Sequence, residues 1–211
     1  TGALSLGWFM SDGDWYYAEP SNASGIVKTG WLKDGSQYYY LDPAVDGKML
    51  LGHFSVNGKS YYAKGSGAVA CREWVDVQDS VQDGPSKAFA GSDCSLCGTL
   101  RNGKLFTSNG DGELVEARGF VTLGGCIFYA DPTNGSLSVG WQNVNGKWYF
   151  FDETAGYARS GWLSKDGSWF YLDPSTYVMK TGWVAVNGYW YYLNSSGYMQ
   201  TGWLNLGGTW Y

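Results

Sequence analysis

Short bursts of strand-forming residues alternate with polar turn dipeptides along this chain, and the bursts recur. In Gly161-Trp-Leu-Ser-Lys-Asp-Gly-Ser-Trp-Phe-Tyr-Leu-Asp173, two runs containing aromatic residues and leucine flank Asp166-Gly167. Asn-Gly and Asp-Gly accept the positive φ of tight hairpin turns, so the pattern predicts strand, two-residue turn and strand. Equivalent turn signals stand at Asp12-Gly13, Asp34-Gly35, Asn57-Gly58, Asn102-Gly103, Gly124-Gly125, Asn145-Gly146, Asn187-Gly188 and Gly207-Gly208.

A Gly-Trp pair, intact or eroded, opens each unit at Gly7, Gly30, Gly52, Glu73, Gly119, Gly140, Gly161, Gly182 and Gly202. The steps are 20 to 23 residues, with one of 46 in which Cys97-Gly98 stands where a pair is due. A period of about 21 residues is the mark of a repeat architecture. Ten units result, the fourth badly degraded. An apolar residue precedes most of the pair aromatics by four places, at Val27, Met49, Ala70, Leu137, Ala158, Met179 and Met199. A lone hairpin is marginal in water, so these units must bury surface against one another, and an all-β solenoid of stacked hairpins is expected. All 12 tryptophans fall at two phases of the repeat. Seven take the second place of the opening pair and five follow the turn.

The units at 161–173 and 182–194, closed by Gly197-Tyr-Met-Gln-Thr-Gly-Trp203, resemble the cell-wall-binding repeats of Gram-positive bacteria. These include the choline-binding repeats of pneumococcal surface proteins, and the repeats of streptococcal glucan-binding domains and clostridial toxins are similar. The resemblance spans residues 1–65 and 119–211. It implies a left-handed solenoid with ligands between consecutive hairpins. It also implies a secreted, cell-surface protein, with teichoic acid choline or a polysaccharide as partner. An enzymatic or toxin domain is expected elsewhere in the parent protein. The domain reading is repeat units at 1–74, a degenerate cysteine-containing segment at 75–118, and repeat units at 119–211.

Strand alternation places the residues two and four after the turn glycine on one face. If the pair tryptophan shares that face, the boxes expected around a quaternary ammonium are Trp141, Trp148 and Tyr171, then Trp162, Trp169 and Tyr192. Trp183 and Trp190 follow, with the wall truncated at the chain end, and Trp8, Trp15 and Tyr39 form a fourth. Units two to six lack the second tryptophan, with Gln37, Ser60, Leu105 and Ile127 read at that position. An extracellular glucan or host glycan is the rival ligand, for which Gln37, Lys59, Lys147 and Asn143 offer polar neighbours. A purely structural stalk is the third reading.

Composition narrows the chemistry. With Lys+Arg 14 against Asp+Glu 19 and a net charge of -5, the chain has no basic run to neutralise phosphates, which argues against nucleic acid. No apolar stretch approaches the roughly 20 residues of a membrane-spanning helix. Cys71, Cys94, Cys97 and Cys126 all lie in or beside the weak middle, where two disulfides are expected to replace lost stacking. A zinc site built on Cys94-x-x-Cys97 is the alternative. The single histidine, His53, reads as an eroded aromatic of the repeat. Aspartates such as Asp34, Asp42, Asp166 and Asp173 read as turn formers and not as a facing catalytic pair. Neither catalysis nor a cofactor is expected of this chain.

Overall fold

The computed structural model describes residues 6–20, 25–77, 86–108 and 113–211. The expected hairpins form, and they are antiparallel. β1 (Gly7–Ser11) pairs with β2 (Asp14–Ala18), and β3 (Gly30–Asp34) pairs with β4 (Gln37–Asp42), which also carries the short β5 (Lys48–Met49). β6 (Gly52–Val56) pairs with β7 (Lys59–Ala63).

In the middle of the chain, β8 (Glu73–Val77), β9 (Ser86–Ala90), β10 (Leu96–Arg101), β11 (Lys104–Ser108) and β12 (Leu114–Glu116) make one sheet in the order β12-β11-β10-β9-β8. Hairpins then resume. β13 (Gly119–Leu123) joins β14 (Cys126–Ala130), and β15 (Gly140–Val144) joins β16 (Lys147–Phe151). β17 (Gly161–Lys165) joins β18 (Ser168–Leu172), and β19 (Gly182–Val186) joins β20 (Tyr189–Leu193). Last come β21 (Asn205–Leu206) and β22 (Thr209–Trp210).

Here the strands of the weak middle join into one five-stranded sheet, which keeps the expected turn at Asn102-Gly103 between β10 and β11. Cys97-Gly98 does not open a unit. It lies inside β10, where the ladder with β9 shifts register between Cys97 and Thr99 and Gly98 adopts φ +64°. An extra residue in one strand disrupts the ladder in this way, and glycine tolerates the backbone it demands. The chain clusters into two compact units. One comprises Thr1–Asn102, Phe106–Leu114 and Leu123–Gly125, and the other Gly103–Leu105, Val115–Thr122 and Cys126–Tyr211.

The opening glycine of each repeat has a backbone role. Gly140, Gly161 and Gly182 adopt φ of +66°, +76° and +75°, the left-handed region from which the chain turns into its first strand. A residue with a Cβ is disfavoured there. Opposite each of these glycines, the last residue of the second strand is fully buried, as with Phe151, Leu172 and Leu193. Those residues bridge to Ala158, Met179 and Met199 of the following linker. The apolar residue four places before the pair aromatic therefore closes its own unit against the core. Burying each Leu or Phe contributes roughly 1.5–3 kcal/mol.

The linkers also stitch one hairpin to the previous one. The N–H of Met179 donates to the carbonyl of Trp148 at 2.8 Å, Met199 donates to Trp169 at 2.8 Å, and Val69 donates to Tyr38 at 2.7 Å. Asx turns shape these linkers. The side chain of Asp131 accepts from the N–H groups of Thr133 and Asn134, that of Asp152 from Thr154 and Ala155, and that of Asp173 from Ser175 and Thr176.

Candidate functional site

Trp141 and Phe150 are direct cross-strand partners, and Trp148 lies two residues before Phe150 on the same strand. All three side chains therefore share one face of the β15–β16 hairpin. The Trp141 and Trp148 rings stand 6.4 Å apart at 83°, and the Trp162 and Trp169 rings 6.3 Å apart at 85°. Each such hairpin presents two indoles at right angles. The second indole is open to solvent, with Trp15, Trp148 and Trp169 exposed at 41%, 44% and 46%.

The third wall comes from the next hairpin, and from the opposite strand parity to the one expected. Trp141 meets Phe170 at 4.9 Å, and Trp162 meets Tyr191 at 4.7 Å. Tyr171 and Tyr192, the expected third walls, instead pack inside their own hairpins, on Trp162 at 5.0 Å and on Trp183 at 5.2 Å. The reason is geometric. A hairpin stacked between two neighbours shows opposite faces to them, so the face that meets the preceding cleft cannot be the one carrying its own two indoles. The rings that alternate with the indoles, Phe170 and Tyr191, do both jobs. Phe170 is buried with Phe150, Leu163 and Leu172, with Trp141 and Met179 packed against that cluster, and it also lines the cleft. The same rule applies at the last unit, where Tyr211 stands 5.1 Å from Trp183 in place of the truncated wall expected there.

Two cavities follow this plan. Trp141, Trp148, Phe170 and Met179, with Ser195, Ser196 and Tyr198, enclose about 420 Å³. Trp8, Trp15 and Tyr39, with Met49 and Ser66, enclose about 300 Å³, and the structure thus brings these three expected rings together. Both volumes sit at the small end of ligand sites, which span roughly 300–1,000 Å³. The Trp8 ring is oriented from outside, since its Nε1–H donates to Asp34 Oδ2 at 2.9 Å.

A third cavity of about 320 Å³ lies where sequence reasoning missed it, among Trp31, Tyr38, Tyr61, Ser92, Asp93 and Cys94. The turn in this hairpin is Gly35-Ser36 and not Asp34-Gly35, because Asp34 pairs with Gln37 and only Gly35 of the two central residues has positive φ, at +58°. Glycine at the first central position is the signature of the II′ turn. The one-residue shift puts Tyr38 opposite Lys33, the place Trp148 occupies opposite Asn143. A slip of one residue exchanges the faces of every side chain, so the reading of Gln37 at that position is corrected to Tyr38. The signal was available as a glycine followed by serine, which fits II′ as well as Asp-Gly fits I′. Tyr39 takes the third-wall parity for the same reason.

Other eroded units keep part of the plan. His53 meets its cross-strand partner Tyr62 at 4.8 Å with the rings tilted by 59°, in the cross-strand relation Trp141 has to Phe150, as an eroded aromatic should. Phe120 meets Tyr149 at 5.1 Å, but Ile127 stands where the second indole would be. One disulfide forms, Cys71–Cys94. It takes up two of the four thiols a zinc site would have needed. Cys97 is half-buried and Cys126 buried, and both carry thiols, so the second expected bridge is not part of this structure.

The Asx carboxylates are electrostatically settled. Asp173 is held down at about 2 by the Thr176 N–H, the Lys180 ammonium at 3.0 Å and the Ser175 N–H. Hydrogen bonds to the charged form hold this carboxylate ionised in its turn. Among the described residues, no helix is long and apolar enough to cross a membrane.

The profile of the choline-binding repeat matches residues 138–179 and 180–211, and that of the cell wall binding repeat matches 7–21 and 29–44. No curated protein sequence matches the chain. Among solved structures, CbpJ from Streptococcus pneumoniae is 24% identical over 98% of this chain and 84% of its own, with a TM-score of 0.49. Choline binding protein F from the same organism is 30% identical over 93% of this chain, which spans 52% of that protein, with a TM-score of 0.35. The choline binding domain of Spr1274 from that organism is 41% identical over 31% of this chain and 97% of its own, with a TM-score of 0.29.

Proposed function

The chain belongs to the choline-binding repeat family of cell-wall-binding modules, and from that premise we propose that it anchors a larger secreted protein to choline-bearing glycopolymers of a bacterial envelope. Binding takes place in the clefts between consecutive hairpins, and this chain contributes no catalysis. The observation that carries the reading is the pair of perpendicular indoles closed by a ring of the next hairpin, open to solvent at Trp15, Trp148 and Trp169.

A quaternary ammonium donates no hydrogen bond and spreads its charge over methyl groups. Ring faces satisfy it, with each desolvated contact contributing about 2 kcal/mol. The sulfur of Met49 or Met179 supplies a polarizable floor in the two cavities that hold both indoles. Several weak sites in series then give avidity on a polymer that presents many copies of the ligand.

Titration with choline chloride, followed by tryptophan fluorescence, tests this, with a soluble α-glucan in parallel. A saturable response to choline that Trp148→Ala reduces is the expected result. A response to glucan alone selects polysaccharide stacking, and silence to both leaves only a stalk.

A further inference from the structure

The Trp31 cleft differs in kind from the Trp8 and Trp141 clefts. At the Trp8 and Trp141 clefts, a methionine and one or two serines complete the wall behind the rings. At the Trp31 cleft the sulfur is that of Cys94, locked to Cys71, the serine is Ser92, and a carboxylate, Asp93, stands between them. The second indole is also replaced by a phenol, Tyr38. These residues come from the loop between β9 and β10, outside the hairpin repeat.

The carboxylate is firmly placed. Asp93 Oδ2 accepts from Lys59 Nζ at 2.9 Å, while Oδ1 accepts from the Ser95 N–H at 3.1 Å and the Ser95 hydroxyl at 2.6 Å. The Lys59 and Ser95 bonds hold its pKa at about 2, so it is charged throughout the physiological range. The loop itself is pinned. Ser92 bonds the Gly124 carbonyl through both its N–H and its hydroxyl, and Cys94 packs with Tyr61, Ala63 and Val69. A carboxylate offers about four acceptor positions, of which three are used, and Oδ2 keeps one.

We propose that the Trp31–Tyr38–Tyr61 cleft binds an ammonium group that still carries an N–H, a primary or secondary amine head, in contrast to the quaternary heads taken by the Trp8 and Trp141 clefts. The rings attract the positive charge, and Asp93 accepts the N–H that a trimethylammonium lacks. A quaternary head in this cleft would face the carboxylate without a hydrogen bond to offer it. The proposal rests on the reading of the clefts as cation sites.

Ethanolamine and choline chlorides, titrated at fixed ionic strength, distinguish the two classes of cleft through the indole N–H resonances of the 15N-labelled protein. Trp31→Phe, Trp8→Phe and Trp141→Phe assign the three reporters. Ethanolamine is expected to shift the Trp31 resonance at concentrations that leave Trp8 and Trp141 still, and choline the reverse. Asp93→Asn should weaken ethanolamine at Trp31 about tenfold or more, the value of a charge-assisted hydrogen bond. Lys59→Met removes the competing cation and should tighten it. A Trp31 resonance that prefers choline, ignores ethanolamine, or responds alike in the wild type and both variants overturns the proposal. Failure of choline to move Trp8 and Trp141 overturns the underlying reading separately, through different resonances.

Discussion

The ring of Phe170 stands 4.9 Å from that of Trp141, one hairpin earlier in the chain, at an angle of 60°. This contact joins stability and function, because one aromatic side chain both fills the core between two hairpins and closes the cleft in front of the Trp141–Trp148 pair. Loss of that ring harms both.

Phe170→Ala should therefore destabilise the unit containing it by about 3–5 kcal/mol, as removal of a buried phenylalanine does, and abolish the choline response of the Trp141 cleft. Phe170→Leu should recover much of the stability without the ring face. Urea unfolding and choline titration of the two variants check this. Normal choline binding in the leucine variant would show that the third ring face is dispensable.

Tyr191 and Tyr192 are adjacent in sequence but serve different clefts, Tyr191 against Trp162 and Tyr192 against Trp183. Tyr191→Ala should weaken ligand binding at the Trp162 indole and spare Trp183, and Tyr192→Ala should do the opposite. Indole N–H shifts of the two tryptophans read the outcome directly. Equal effects on both would mean that the parity rule does not govern the site.

The opening glycines predict a cost that owes nothing to packing. A Cβ at Gly161 meets no atom within 4 Å, yet φ is +76°. Gly161→Ala should therefore cost about 1–2 kcal/mol from backbone strain alone. At Gly156, also at φ +77°, the Cβ would lie 2.7 Å from the Leu137 side chain, so Gly156→Ala should cost more than Gly161→Ala. Denaturant midpoints of the two variants decide it.

The single bridge between Cys71 and Cys94 fixes the outcome of reduction. The intact protein should gain two hydrogens, where two bridges would give four. Loss of the cross-link should lower stability by roughly 2–4 kcal/mol, with the effect confined to the unit that contains it. Mass spectrometry and thermal unfolding with and without a dithiol measure both.

Acid should weaken the Asp173 turn within a defined window. Its carboxyl is depressed from the ordinary 3.8 to about 2 on folding, so its contribution is complete above pH 3.8 and disappears as pH falls through about 2. The Tm difference between the wild type and Asp173→Ala should be constant above that window and shrink within it. A difference independent of pH would assign the turn to shape alone.

The repeat period, the hairpins, the turn dipeptides and the two tryptophan phases were legible in the chain because each is local. Strand alternation and positive φ are settled within about five residues. The same locality gathered Trp141 with Trp148, and Trp162 with Trp169. What stacking decided lay beyond that range. A hairpin must offer opposite faces to its two neighbours, so Phe170 and Tyr191 close the clefts assigned by parity to Tyr171 and Tyr192. A turn that begins at glycine moved Tyr38 into the wall of a cleft. The middle segment, where the aromatics of the repeat are sparse in the sequence, paired its strands side by side into one sheet, and its loop brought Asp93 and Cys94 to a tryptophan some sixty residues earlier in the chain. No local pattern encodes that meeting, because it is fixed only when hydrogen bonds and buried rings distant in sequence are satisfied together.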